Sequence, residues 1–383
     1  ADTVGYFVPP YFSSDYNDLF VTNGAYAAIE YARSGQLFLM PSYYENVSSW
    51  VRGTGRDQHS LSHEPAFANP ARGDFHPLST EGRFVSSNQT WVIDGRSSPL
   101  IDAGDPLLPF DSEPSPNGSR ANIGLYENTG EASLSSTNAS LTLLTLSDGG
   151  RAEGTNVLLC WVARGAATGH ALRIMFSADA GSTWQVVASN LVATAGEYSW
   201  DTTLFPSTVR GVLSLESEND ANVSDRTRSI FAVRNTPILF YVNDAYTNGD
   251  VYTVSPGAAT NLGLSAGQPM LFVQTVLSTY DLEEGDTVYV DTGVYSINEE
   301  VFVGQLDSAN STSAPPVVIQ GSTNYAAGGT VLDRNGGTYG IRLSEALGVR
   351  IGNLKLRNSS VGVRLYRSAG MEFNSLEVEG GSR

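Results

Sequence analysis

The chain has 383 residues, a pI near 4.5 and a formal net charge of −18, with 40 acidic residues against 22 basic ones and Lys355 as its single lysine. That balance lacks the cationic footprint of a nucleic-acid binder, no apolar run approaches the ~18 residues of a membrane-spanning helix, and 41% hydrophobic residues is too many for wholesale disorder. One cysteine, Cys160, leaves no intrachain disulfide and no cysteine-based structural zinc site. Abundant glycine (39 residues) with only 16% charged residues, against ~25% in ordinary domains, suits turn-rich β structure, and the length suggests two or three domains. The opening Ala1-Asp2-Thr3 does not form a signal peptide, so either one is removed or the chain is a piece of something longer.

Residues 1–135 are irregular, with many turns and short apolar runs. His59 and His63 stand at i and i+4, with His76 further on, but Pro65 and Pro70 make this a loop and not a zinc-binding helix. Arg72-Gly73-Asp74 spells an adhesion tripeptide and reads as a turn. Asp102 and Asp105 carry two readings: a calcium site built from carboxylates and carbonyls, or turn caps beside Gly and Pro.

From 139 to 235 the pattern alternates as in an immunoglobulin- or fibronectin-type β-sandwich, with strands expected at 157–162, 171–177, 184–188, 197–201, 211–217 and 229–233. Trp161, Trp184 and Trp200 are expected to supply core bulk, and Cys160 reads as an inert core thiol.

Residues 236–383 become periodic. The segment 340–361 (GIRLSEALGVRIGNLKLRNSSV) aligns without a gap on 362–383 (GVRLYRSAGMEFNSLEVEGGSR), an offset of 22 residues. Gly340/Gly362, Arg342/Arg364, Leu343/Leu365, Gly348/Gly370 and Leu354/Leu376 are identical, and Ile341/Val363, Val349/Met371, Ile351/Phe373 and Leu356/Val378 stay apolar. A fixed period of this length marks units that bury their apolar face by stacking. Apolar alternation is the strand period, and no asparagine-centred leucine-rich consensus occurs, so stacked β-helix coils are expected rather than a leucine-rich horseshoe. The same offset sets Glu345 over Arg367, Arg350 over Glu372, Lys355 over Glu377 and Arg357 over Glu379. Stacked opposite charges favour such a register by ~0.2–1 kcal/mol each, while Arg342 over Arg364 has no evident reason. Upstream, 268–280 has helical spacing at Val273, Val276, Leu277 and Tyr280, which predicts a short amphipathic helix covering the apolar end of the stack. Glu283, Glu284, Asp286, Glu299 and Glu300 read as solvated turns, and no stacked acidic column of the kind a glycosidase needs is visible.

The stretch 98–132 (SPLIDAGDPLLPFDSEPSPNGSRANIGLYENTGEA) resembles the closing segment of secreted bacterial right-handed parallel β-helix proteins, the pectate-lyase-like repeat family. Residues 14–20 (SDYNDLF) and 62–75 (SHEPAFANPARGDF) resemble the segments before it, and 240–242 with 285–295 resembles the opening of such a helix. The resemblance implies a fold; the family mixes polysaccharide lyases, hydrolases and non-enzymatic surface proteins, so it implies no single activity. Residues 177–184 (SADAGSTW) resemble the Asp-box hairpin of sialidase propellers, but one copy makes a turn, not a propeller.

Together these features predict an all-β chain: the C-terminal part of a β-helix with its closing segment (1–135), a sandwich (139–235), and the N-terminal part of a second right-handed parallel β-helix (236–383). Such an order leaves a cut coil at each end, and heterologous end-to-end contacts build filaments. The expected function is a non-enzymatic extracellular structural or adhesive protein of a bacterial surface. It would associate with itself head to tail through Ala1, Tyr6, Val8, Met371, Phe373, Leu376 and Val378, or form one period of a longer chain. No cofactor is expected beyond the calcium reading, and no nucleic acid or membrane insertion. The alternative is a carbohydrate-active β-helix enzyme or glycan-binding module. Seven Asn-x-Ser/Thr sequons (Asn46, Asn88, Asn117, Asn138, Asn222, Asn310, Asn358) would be mostly idle in a bacterium.

Overall fold

The computed structural model describes residues 12–22, 24–30, 33–34, 37–38 and 42–380. The expected all-β class holds: among the described residues two short helices accompany many strands. The chain separates into two compact units, Ala1–Asn235 and Thr236–Arg383, so the boundary near 236 is a division of the fold and residues 1–135 and 139–235 share one unit.

In the first unit two sheets enclose one core. Ser140–Leu143, Val157–Arg164 and Glu197–Trp200 form an antiparallel three-stranded sheet. Arg151–Ala152, Phe231–Val233, Thr208–Ser217, Ala171–Ser177 and Gln185–Val192 form a second sheet in that spatial order, with Ser224–Arg226 also pairing Thr208–Ser217. Leu143, Leu159, Trp161, Ile174, Phe176, Trp200, Leu215 and Phe231 from both sheets share the core. The six expected strands therefore all form. Trp184 departs from expectation: it is half-buried under the Arg226 guanidinium, 4.8 Å from its ring centroid, outside the core.

Strand Val157–Arg164 is apolar on both faces for a reason. Leu159 and Trp161 enter the core shared by the two sheets, while Cys160 and Val162 point to the opposite face and pack with Leu61 and Ala103 from the preceding region. At the strand's end the buried Arg164 donates to the carbonyls of Ile101 and Pro99, both at 2.6 Å, and to Thr142 Oγ1 at 2.7 Å. Three hydrogen bonds satisfy a guanidinium that would otherwise be costly to bury.

The described residues before 136 do not build the expected coil stack. Their strands close antiparallel hairpins, as Phe67–Asn69 with Asp74–Pro77 and Arg83–Val85 with Thr90–Val92, and parallel pairing is confined to one bridge, Asp18–Leu61. Tight local turns explain this: Arg72-Gly73-Asp74 lies in one, with Gly73 at φ +79° closing a 3₁₀ turn begun at Pro70. Helix Val47–Thr54 was not expected. Asn46, read as a sequon, is its N-cap in a reciprocal capping box with Ser49, and Gly55 ends it in the left-handed region.

The second unit is dominated by parallel ladders. One sheet runs Leu239–Val242, Thr287–Val290, Val317–Gly321, Val349–Ser359, then Thr330–Asp333 and Gly293–Ser296, with Glu372–Gly380 also on Val349–Ser359. A second joins Val301–Val303, Tyr339–Ser344 and Val361–Tyr366. The register matches the repeat: Leu354 pairs Leu376, Ile351 pairs Phe373 and Leu343 pairs Leu365. The helix forms as Val273–Thr279 with Val273, Val276 and Leu277 buried, and Gln274 Oε1 accepts from the Phe302 N–H at 2.7 Å. The outer edge of Leu239–Val242 is occupied: Met270 N–H donates to the Tyr241 carbonyl, whose own N–H donates to Gly263, both at 2.8 Å.

The expected ion pairs across the ladder form in three of four cases: Arg350–Glu372 at 2.6 Å, Lys355–Glu377 at 3.0 Å and Arg367–Glu345 at 3.5 Å. Arg357 instead turns to Asp333 at 2.7 Å, leaving Glu379 to Lys355 at 3.1 Å. The unexplained Arg342/Arg364 stack resolves because each has another partner. Arg342 binds Glu300 at 2.6 Å and covers Phe302, while Arg364 donates to the Tyr339 hydroxyl at 2.6 Å.

Candidate functional site

The ladders stack side chains in columns that stay dry until the last strand. Phe240, Val288, Ile319, Ile351 and Phe373 are successive register partners. The first four are buried, whereas Phe373 is 37% exposed. Tyr295, Leu332 and Leu356 are likewise buried beneath Val378, which is 50% exposed, and Val303 and Leu343 beneath Leu365, which is 49% exposed. Met371 and Leu376 are half-buried. These four residues at 371–378 are thus partly or largely exposed, as are Val361, Leu365 and Tyr366 on the neighbouring strand. The 22-residue offset, applied to Leu343, would have found Leu365. Ala1, Tyr6 and Val8 lie outside the described residues.

Asp102 and Asp105 have separate duties. The Asp102 carboxylate is buried, its Oδ1 accepting from Ser135 Oγ at 2.6 Å while its own N–H donates to Asn122. Gly118 packs so closely on it that a Cβ there would lie 2.3 Å from the carboxylate. Burial pushes this carboxyl up, against the opposing effect of Ser135 and two arginines. Asp105 accepts from the Leu107 N–H at 2.8 Å, a turn cap. Asp286, read as a solvated turn, is buried and accepts from the Ile238 N–H at 2.7 Å. The Asp-box segment is the turn it was expected to be. Asp179 Oδ1 accepts from the Thr183 N–H at 2.8 Å, Ser177 Oγ takes the Gly181 N–H at 2.7 Å, and Gly181 sits at φ +90°. The hydrogen bonds from Thr183 and Ser177 pull the Asp179 carboxyl down to about 2.

A third constellation joins residues far apart in sequence. Cys160 and Glu197 are direct partners across antiparallel strands, so both side chains leave the same face of the sheet. His59 approaches that face from the segment after the first helix, and His59 Nε2, Cys160 Sγ and a Glu197 carboxylate oxygen all lie within 4.8 Å of one another. His59 Nδ1 is 2.7 Å from Asp15 Oδ2, and the His59 N–H donates to Asp15 Oδ1 at 2.7 Å. Tyr16 stacks on the imidazole at 4.8 Å, with the planes 6° apart. The Asp15 hydrogen bond, then Cys160, raise the imidazole to about 10. Burial raises the Asp15 carboxyl, but the ring and backbone of His59 outweigh it and hold it below the usual carboxylate range. Only pairing of strands 157–164 and 197–200 could have joined Cys160 to Glu197 in advance, and no local motif announces His59.

No helix among the described residues is long and apolar enough to cross a membrane. Comparison with protein-family models, with curated proteins and with solved structures finds no match.

Proposed function

We propose that this chain is a non-enzymatic extracellular structural or adhesive protein of a bacterial surface, in which a right-handed parallel β-helix and an immunoglobulin-like sandwich alternate along an end-to-end rod. The observation carrying this reading is the change along each apolar column: buried through successive strands, then open at Phe373, Val378 and Leu365. Water-exposed apolar area costs roughly 25 cal/mol per Å² relative to burial, and the strand Glu372–Gly380 offers a parallel edge for another strand in the same register. A further strand in the same register, from a second copy of the chain or from the next period of a longer one, satisfies both. This contact joins unlike patches, so it propagates. Acidic groups along the ladders are engaged in ion pairs, as Asp333 with Arg357 and Glu372 with Arg350, which favours a structural use of their charge.

The test is sedimentation velocity over a range of concentrations, on the chain and on a Phe373→Asp/Val378→Asp variant. Concentration-dependent association in the first and monomers in the second are expected. Monomers in both at every concentration, or undiminished association of the variant, would overturn the reading.

A further inference from the structure

We propose that His59 Nε2, Cys160 Sγ and the Glu197 carboxylate form a three-ligand site for a divalent cation of the zinc class, with Asp15 as the positioning residue for His59. Three ligand types of different chemistry converge on one point, drawn from a loop and two paired strands. Bond lengths of ~2.0–2.3 Å in a tetrahedral site put ligand atoms about 3.5 Å apart. The His59–Glu197 separation of 3.4 Å already meets this, and an edge at the 4.8 Å limit needs to close by about 1 Å. Glu197 supplies that freedom, since its side chain is 51% exposed while Cys160 is fixed in the buried strand.

Asp15 and Tyr16 act on the ring. Nδ1–H stays donated to Asp15, and the cation displaces the Nε2 proton to solvent, which frees the lone pair on the nitrogen turned toward Cys160 and Glu197. A carboxylate behind a ligating histidine is the usual outer partner in zinc sites, and stacking on Tyr16 restricts rotation of the ring. Cys160 ligates as thiolate, its proton passing to solvent. A thiolate with an imidazole selects zinc-like ions over calcium and magnesium, which require oxygen. Three protein ligands leave a fourth position, open on the exposed Glu197 side, for water.

The experiment uses the full chain stripped with a chelator, then dialysed against Zn²⁺ with metal analysis, and in parallel titrated with Co²⁺. One Zn²⁺ per chain and a Co²⁺ spectrum with a thiolate charge-transfer band are expected. Glu197→Gln, a surface change that leaves the fold intact, should weaken Zn²⁺ binding at least about 10-fold. Asp15→Asn should weaken it about 10- to 100-fold while the thiolate band persists, and Cys160→Ser should remove the band. Failure to retain Zn²⁺, a Co²⁺ spectrum without the thiolate band, or equal affinity in Glu197→Gln and the parent chain would each overturn the site. The last result would place the metal on the acidic surface.

Discussion

Replacing Leu354 by alanine should destabilise the second unit by ~3–4 kcal/mol, and the same change at Leu376, one repeat later, by only ~1 kcal/mol. Leu354 is buried in its column between Thr330 and Leu376. Losing about three carbons there forfeits ~2.4 kcal/mol of transfer free energy, and the cavity left behind raises the total toward the range of ~2–5 kcal/mol seen for buried leucines. Leu376 is half-buried on the open face, so roughly half of the transfer energy is at stake and solvent fills the gap. The assay exploits the tryptophans: all five, Trp50, Trp91, Trp161, Trp184 and Trp200, precede residue 236. Urea unfolding followed by tryptophan fluorescence therefore reports the first unit, while far-UV circular dichroism reports both. Leu354→Ala should shift the dichroism transition that fluorescence does not follow. Equal losses at the two positions in dilute monomer, or a loss below ~1 kcal/mol at Leu354, would refute the stacked column.

Further outcomes follow from individual contacts. Gly321→Ala should destabilise the second unit by roughly 1–3 kcal/mol in the same urea assay, because a Cβ at this position would lie 2.1 Å from the Asn353 carbonyl oxygen; an unchanged midpoint would contradict the close packing of these strands. Asp179→Ala should speed amide hydrogen exchange at Gly181 and Thr183, whose N–H groups the Ser177–Asp179 turn engages, and unchanged protection there would show the turn to be held otherwise. Acid should weaken the first unit through His63, which burial, and then Arg228 and Arg164, pull down to about 4 from 6.5. The folded state binds this proton less readily than the unfolded one. Its stabilising contribution is therefore complete above pH 6.5 and disappears as pH falls to about 4, amounting to at most ~3 kcal/mol. Fluorescence-monitored stability should fall over that window in the parent chain and less in His63→Gln; identical profiles would exclude His63 as a source.

Legibility in the sequence tracked how local each interaction is. The 22-residue offset carried the register because successive parallel strands repeat both apolar and charged positions, and the pairs Ile351–Phe373 and Leu354–Leu376 follow from it directly. Arg357 escaped that logic because Asp333, on an earlier strand, competes for it with better geometry. The longer strands of 139–235 were visible through alternation, but Arg151–Ala152 and Ser224–Arg226 are too short to show a period. Before residue 136 the turn chemistry was plain, yet the resemblance to a closing β-helix segment did not reveal that the strands pair with their nearest neighbours. Helix Val47–Thr54 was hidden because its cap, Asn46, reads equally as a sequon. The His59–Cys160–Glu197 grouping was the least legible: it brings a loop histidine to a cross-strand pair that begins about a hundred positions later, and His59 invited comparison only with His63 beside it.

Electron microscopy of the purified chain tests the open face most directly. Rods that lengthen with protein concentration and vanish in the Phe373→Asp/Val378→Asp variant are the expected images. Discrete particles of one chain each, at concentrations where the parent protein is abundant, would contradict an exposed strand edge that accepts another copy.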